Sequence, residues 1–362
     1  MLQPIKVSIK PREAAQNLLK QIENKRAREV LERRFGLKNG KGETLEAIGS
    51  SYGITRERVR QIEADGLKSI AKPAVYSLAD SVFKALEEHL KEHGSVAREE
   101  HLLKSIADER EHAHLGFLLT VGKQFQKTRE TDLHYDHWYT AKEAKTAAEK
   151  IIQGVIADLE KQKSPVSREA LFALLGTHAE RVLGDKPKDQ VLQAYLGISK
   201  EIAQNPYGEY GLASWPTIRP KGVRDKAYVV LQKTGKPMHF REVASAINSM
   251  QWTRKPAHPQ TVHNELIKAG NQFVLVGRGL YALREWGYTP GTVATVIEWG
   301  YTPGTVATVM QEVLRGAAKP LAKEEIVKSV LERRFVKENT ILLNLQNRTL
   351  FSKNPDGKYF LV

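Results

Sequence analysis

No cysteine occurs anywhere in the 362 residues. That removes disulfides, zinc–thiolate centres and thiol catalysis from consideration. Long apolar runs are missing as well, and nothing approaches the roughly 18 residues needed to cross a bilayer. The opening "MLQPIKVSIKPRE" has no apolar signal core and no small-residue cleavage site. A cytoplasmic location without a membrane partner is therefore expected. Aromatic residues are sparse at 7%, and the five tryptophans are scattered at 138, 215, 252, 286 and 299. Negative charge is the minority: 42 Asp+Glu face 56 Lys+Arg, a formal net of +14. Such a balance favours a polyanionic partner, most commonly nucleic acid. The excess is uneven. Residues 1–72 hold 16 Lys+Arg and 9 Asp+Glu, a net of +7, so half of it sits in the first fifth of the chain.

Signals for chemistry are also lacking. "HAH" at 112–114 and "HYDH" at 134–137 have the wrong company for a metal. As a strand, the second would place His134 and Asp136 on one face and His137 on the other. "GDKPKD" at 184–189 lacks phosphate-loop spacing. No nucleophile–base ordering, carboxylate pair or nuclease-like carboxylate–lysine cluster stands out. The expectation is no enzyme, no catalytic residue, no metal ligand and no cofactor.

What is present begins at Arg26. "RAREVLERRFGL" places Val30, Leu31 and Phe35 at helical spacing and stops at Gly36. "TLEAIGSSYG" follows, with Thr44 as N-cap and Leu45 and Ile48 on one side of a short helix. Gly53 sits in the turn. "ITRERVRQIEADGLKSIAK" is a second helix, capped by Thr55, with Val59, Ile62 and Leu67 inward. Arg56, Glu57, Arg60 and Gln61 stay outside near its start. Two short helices joined by a tight Gly-containing turn read as a helix-turn-helix. Arg suits guanine O6 and N7, Gln suits adenine, and Glu accepts from cytosine N4. Arg58 and Lys68 suit phosphates, as do the N–H groups opening the Thr44 helix. The same pattern also fits an amphipathic helix whose charges face water.

"RAREVLERRFGL…TLEAIGSSYGITRERVRQIEADGLKSI" resembles region 4 of the primary sigma factors of bacterial RNA polymerase, over roughly residues 11–72. "TRERVRQIEA" carries the most specific part of the likeness. The resemblance implies a helix-turn-helix that reads a −35 promoter element. It makes Arg56, Glu57, Arg60 and Gln61 base-contacting candidates. It places Thr44, Leu45, Thr55 and Arg58 at the DNA backbone, with Lys68 added from its charge. It also implies that the apolar back of the domain rests on the polymerase flap. Asp65 stands where the family usually has a basic residue, and Gly66 follows inside the helix. One phosphate contact is then lost and the helix end loosened, implying weaker DNA binding. The aromatic-rich helix with which sigma factors melt promoters has no counterpart here.

The rest of the chain repeats a rhythm of helix, second helix with a charged start, third helix and hairpin. The second-helix openings align as "GSVAREEHLLKSI", "SPVSREALFALL", "KPMHFREVASAI" and "KPLAKEEIVKSV". The hairpin exits align as "HWYT", "YGLASW", "YALREW" and "YFLV". A period near 70 residues is too long for a solenoid and suits tandem winged helices. Gly277-Arg278-Gly279 and Asp356-Gly357 supply hairpin turns. The third module, through "GKPMHFREVASAIN", "HPQTVHNELIK" and "FVLVGRGLYALREWG", resembles the HARE-HTH family. That winged helix is found in the delta subunit of bacterial RNA polymerase and in some chromatin and restriction proteins. Asn264, Asn339, Asn344 and Gln346 suit base reading or a solvated helix face equally. Modules one and two read more as protein-contacting.

Between modules three and four, Glu285–Val296 recurs unchanged as Glu298–Val309. With one copy deleted, the text passes from a hairpin exit through a turn to a helix capped by Thr289 or Thr302, with Pro at N1. The repeat reads as a duplicated linker, with a short helix at 290–297 and a break near Gly300; the alternative is a motif whose aromatic-Gly-Tyr-Thr-Pro segment docks on a partner. The expected architecture is mainly α: a sigma region 4-like helix-turn-helix at 1–73, then winged helices with small β-hairpins. Their expected bounds are 74–140, 141–218, 219–287 (HARE-HTH) and 302–362, with the linker at 288–301. The expected function is a sigma-like DNA-binding transcription factor whose partners are double-stranded DNA and core RNA polymerase. The alternative is a polymerase-binding scaffold that reads no sequence.

Overall fold

The computed structural model describes residues 9–252, 255–288, 306–317, 319–333 and 338–361. The chain divides into two compact units, Met1–Ile218 and Arg219–Val362.

The first unit opens with α1 (Pro11–Lys20), α2 (Lys25–Phe35), α3 (Leu45–Tyr52), α4 (Arg56–Ile70) and the short α5 (Pro73–Tyr76). Local signals set these limits. Asn24 caps α2 by accepting from the Arg26 and Ala27 amides. Thr44 and Thr55 do the same for α3 and α4. Gly36 and Gly53 end α2 and α3 in left-handed conformations. Module one follows as α6 (Asp80–Glu92), β1 (Val96–Arg98), α7 (Glu99–Ile106), α8 (His112–Val121), β2 (Gln126–Thr128) and β3 (His137–Tyr139). Its antiparallel sheet has the order β1-β3-β2. Module two has α9 (Lys142–Gln162), α10 (Arg168–Leu183), α11 (Asp189–Ile198) and the hairpin β4 (Ile202–Gln204)–β5 (Tyr210–Leu212). A bridge from Val166 to Tyr210 replaces its first strand.

The second unit holds two more copies of the plan. Module three is α12 (Val223–Thr234), β6 (Met238–His239), α13 (Phe240–Ser249), α14 (Pro259–Lys268), β7 (Phe273–Gly277) and β8 (Leu280–Leu283), with sheet order β6-β8-β7. Module four is α15 (Val306–Ala317), α16 (Lys323–Arg333), α17 (Glu338–Leu345) and the hairpin β9 (Phe351–Lys353)–β10 (Tyr359–Leu361), with a bridge from Leu321 to Tyr359. Helix, strand or bridge, two helices and hairpin is the winged-helix order in all four. The chain is thus mainly α, a helix-turn-helix followed by tandem winged helices. The two copies of the repeated phrase take different parts. Glu285 and Trp286 lie in a 3₁₀ turn after β8, while Val306–Val309 open α15. The expected helix at 290–297, the break at Gly300 and the Thr289 or Thr302 cap fall outside the described residues.

Packing inside the first unit follows a pattern that periodicity could not announce. α8, "HAHLGFLLTV", is apolar around most of its circumference, and only Thr120 is exposed, so it needs cover on more than one side. One side serves module one. The other meets α1 and α2, and Phe35 and Phe117 meet edge to face at 5.2 Å. One core therefore runs from Leu18, Val30, Leu31 and Val59 into Phe83, Leu86, Leu115 and Phe117. α11 repeats the device one module later. Among its residues only Asp189 is exposed. The Tyr195 hydroxyl donates to the Gly94 carbonyl at 3.2 Å, and Gln190 donates to the Glu92 carbonyl at 2.7 Å. The module-one wing loop is pinned as well, by a bridge from His134 to Ser199 and by hydrogen bonds from the Tyr135 amide to the Ile198 carbonyl and from the Lys200 amide to the Leu133 carbonyl. In modules one and two the third helix thus docks on the preceding module.

The wing also corrects the strand reading of "HYDH". β3 begins only at His137, and the rings of His134 and His137 approach to 6.1 Å instead of facing apart.

Gly94 is the tightest point of the α11 joint. Its φ is +77°, and a Cβ there would lie 2.5 Å from Val191 Cγ1 and 2.7 Å from the Tyr195 hydroxyl. Gly94→Val should cost about 2–4 kcal/mol through left-handed strain and overpacking. Urea unfolding measures it, and a cost under ~1 kcal/mol would disprove the tight joint. A second prediction concerns acid. His89, His114 and His137 are buried in this unit, and burial lowers the affinity of each for a proton, that of His89 to about 4. They fold neutral, so their stabilising share is complete above the unfolded value of ~6.5 and is lost as pH falls through the folded values. His89 alone should withdraw about 2 kcal/mol by pH 5, before carboxylates begin to titrate. The unfolding midpoint should fall between pH 6.5 and 5, with proton uptake on unfolding. A flat profile there would contradict this account.

Candidate nucleic-acid interface

The helix-turn-helix presents α4 from a firm base. Val59 and Ile62 are buried, and Leu67 packs against the same core. The Thr55 hydroxyl accepts from the Arg58 amide at 3.2 Å, and the Thr44 hydroxyl accepts from the Ala47 amide at 3.1 Å. As caps, both hydroxyls still have their own proton to donate. Tyr52 is bracketed by the Arg26 and Arg33 guanidiniums at 4.8 and 5.3 Å.

Every polar side chain expected at the interface is on the surface. Arg56, Glu57, Arg60 and Gln61 are exposed on one stripe of α4, as are Thr44, Thr55, Arg58 and Lys68. Leu45 differs: its side chain is half-buried against the core, leaving only its backbone for an outside contact. The stripe is not idle. Arg60 grips Glu57 with two guanidinium nitrogens at 2.7–3.1 Å, and Arg58 donates to Gln61 Oε1 at 3.0 Å. The Arg60 guanidinium holds the Glu57 carboxyl below the usual range, so Glu57 stays ionised. Two base-contact candidates are therefore tied to each other, and a third to a backbone candidate. Arg56 has no such tie among the described residues. Both pairs were legible as i,i+3 spacings.

Much of the remaining positive charge is spent internally. Arg33 forms a fork with Glu43 at 2.6 and 3.0 Å and also donates to Ser51. Arg34 reaches Glu63 at 3.4 Å, and Arg12 reaches Glu111 at 3.2 Å. The fork keeps the Glu43 carboxyl ionised below its ordinary range. These arginines hold α1, α2 and α3 in place and are not available to a ligand.

Two expectations change. α4 does not loosen at Gly66; it runs unbroken to Ile70. Gly66 is buried where α4 crosses α2, and a Cβ there would lie 2.9 Å from Leu31 Cδ1 and 3.6 Å from Ala27 Cβ. Glycine is the residue that allows this approach. The apolar back of the domain is not open either, because α8 covers the side presented by α1 and α2. No sequence signal at 11–72 could have shown this, since the covering residues lie near 117. Among the described residues no helix is long and apolar enough to cross a membrane, and no cluster of His, Asp and Glu fits a metal ion.

In the second unit the third helices face outward. Gln260, Thr261, Asn264, Ile267 and Lys268 are exposed on α14, and Asn339, Thr340 and Leu343 on α17. Gln260 bonds Asn264 at 3.2 Å, and Asn344 turns back to the Thr340 carbonyl at 2.7 Å. Gln346 is exposed just beyond α17.

If Thr55 starts α4, Thr55→Ala should lower stability by about 0.5–2 kcal/mol, and Thr55→Ser by only a few tenths. Equal stability of all three proteins in urea would remove the cap from this account.

Comparison with known proteins picks out the same two stretches. Residues 24–72 match the Sigma-70, region 4 family. Residues 223–286 match the HARE-HTH family, the helix-turn-helix domain named for ASXL and restriction endonuclease proteins among others. The RNA polymerase sigma factor SigA of Bacillus sp is 46% identical over 68 residues, 17% of this chain and 18% of that protein. The SigA proteins of Microcystis aeruginosa and of Synechocystis sp. are each 44% identical over 68 residues, 17% of this chain and 16% of theirs. The likeness thus spans less than a fifth of those relatives, and a sigma region 4 segment and a HARE-HTH winged helix are joined within one chain.

Proposed function

We propose that this chain is a DNA-binding transcription protein that works with RNA polymerase, with α4 reading duplex DNA resembling a −35 element. The observation that carries this reading is the α4 stripe. Arg56, Glu57, Arg60 and Gln61 stand exposed at the start of a capped helix whose far side is locked in a core. Its residue types match the donors and acceptors of the major groove. Thr44, Thr55, Arg58 and Lys68 flank the stripe as phosphate contacts, joined by the Leu45 backbone. The relatives named as polymerase sigma factors supply the link to polymerase. Because α8 covers the apolar side of α1 and α2, contact with polymerase uses another surface. Modules three and four, with third helices turned outward, offer one.

Reading requires Arg60 to leave Glu57, and one observation favours a second function. A stripe whose members already satisfy each other suits a scaffold that binds polymerase without reading sequence. The two readings separate on base preference. Arg60→Ala should relax specificity by about 1–3 kcal/mol at one base pair, while Lys68→Ala should weaken binding to every duplex alike. Glu57→Ala should strengthen binding to random duplex, since it frees Arg60 and removes a negative charge. Selection of bound duplexes from a random pool, with and without core polymerase, is the direct test. Enrichment of a TTGACA-like hexamer in either arm supports sequence reading, and no enrichment in both arms supports the scaffold.

A further inference from the structure

We propose that module one adds a phosphate-binding strip to the end of α4, so that the helix-turn-helix and the first winged helix hold one duplex together. The strip consists of Lys68, Lys72 and Lys123. It rests on the reading of α4 as a groove-binding helix, which already includes Lys68, and adds Lys72 and Lys123, which that reading does not include.

Lys123 lies 51 residues beyond Lys72, in the loop before β2, yet its ammonium sits 3.4 Å from the Ala71 carbonyl that closes α4. It is held there. Its stem brings the charge over the Tyr76 ring at 4.8 Å, and its amide donates to the Tyr76 hydroxyl at 3.0 Å. That hydroxyl donates in turn to Gln124 at 2.9 Å, and the Tyr76 ring stacks on Phe83 at 4.7 Å. Lys72 is exposed, with no ion pair among the described residues. Lys68 reaches Asp65 only at 4.0 Å, with its side chain 81% exposed. Of the two acids whose charge reaches Tyr76, Asp80 and Glu87, the latter is taken by Lys91 at 2.5 Å.

Geometry puts this charge where a duplex would meet it. At 100° per residue, Ala71 returns to within about 60° of Arg56, near the middle of the Arg56–Gln61 stripe. Lys68 lies on the same stripe. A helix about 10–12 Å across fits a major groove about 12 Å wide, so phosphates border it on both sides. α4 is roughly 22 Å long, and lysines at its far end meet the same backbone that Thr55 and Arg58 meet at its start. The packing of α8 on α1 and α2 fixes Lys123 relative to α4, so little mobility is lost when a phosphate is bound.

The test uses the full chain, with affinity for a TTGACA-containing duplex and for a random duplex followed against salt concentration. The Lys72→Ala/Lys123→Gln variant should flatten the salt dependence by about 1.8 in log–log slope, roughly 0.9 per phosphate. Between 50 and 200 mM salt it would then lose about tenfold less affinity than the parent. The change should be equal on both duplexes and leave base preference intact. Lys72→Ala alone, which removes no packed side chain, should give half the effect and guards against misfolding of the double variant. Unchanged slopes beside a parent that prefers the hexamer overturn the strip and leave the α4 reading standing. Reduced slopes beside a parent without preference keep the strip and overturn the reading. A parent that binds neither duplex, alone or with core polymerase, overturns both.

Discussion

The first unit depends on one constraint: α8 is apolar around most of its circumference and must be covered on more than one side. A winged helix alone covers one face of its third helix. The remaining face of α8 is covered by α1 and α2, with Phe117 against Phe35 at the centre. This contact turns what would be two domains on a linker into a single core, and α11 extends the principle by seating itself at Gly94. The consequence is mechanical. A free helix-turn-helix samples orientations, and ordering it on a ligand costs free energy. Here α4 is already oriented relative to module one, and that cost is met on folding.

The sequence showed the parts well and their arrangement poorly. Helix limits in the helix-turn-helix were legible because they rest on local chemistry: Thr44 and Thr55 as caps, Gly36 and Gly53 as stops, Val59 and Ile62 at helical spacing. The four winged modules were legible because their second-helix openings and hairpin exits align. The exposed stripe on α4 was legible from spacing, and so in principle was the Glu57–Arg60 pair. Gly66 was misread because helix propensity alone was weighed. A glycine costs about 1 kcal/mol in a helix interior, yet here it lets α4 lie against Leu31 and Ala27. The covered back of the domain and the placement of Lys123 were beyond reach. Both join residues dozens of positions apart through packing that no periodicity encodes.

Charge distribution carries the same lesson. A net of +7 in residues 1–72 suggests a broadly cationic face. The structure spends Arg12, Arg33 and Arg34 on carboxylates that hold the framework together. Arg60 faces a carboxylate on its own helix. Of the cations left without a carboxylate partner, Arg56 and Arg58 flank one end of α4 and Lys72 the other. Pairing many cations and leaving a line of others beside one exposed helix suits a surface meant to meet a duplex in one register.

The third helices complete the argument. In modules one and two they are apolar and turned inward, so those modules act as supports. In modules three and four they are turned outward, with Gln260, Asn264 and Ile267 exposed on α14 and Asn339 and Leu343 on α17. One fold is thus used in two ways along a single chain, with its third helix either docked on a neighbour or left exposed. An apolar α8 or α11 left exposed would aggregate, and a polar α14 buried against a neighbour would strand its amides without partners.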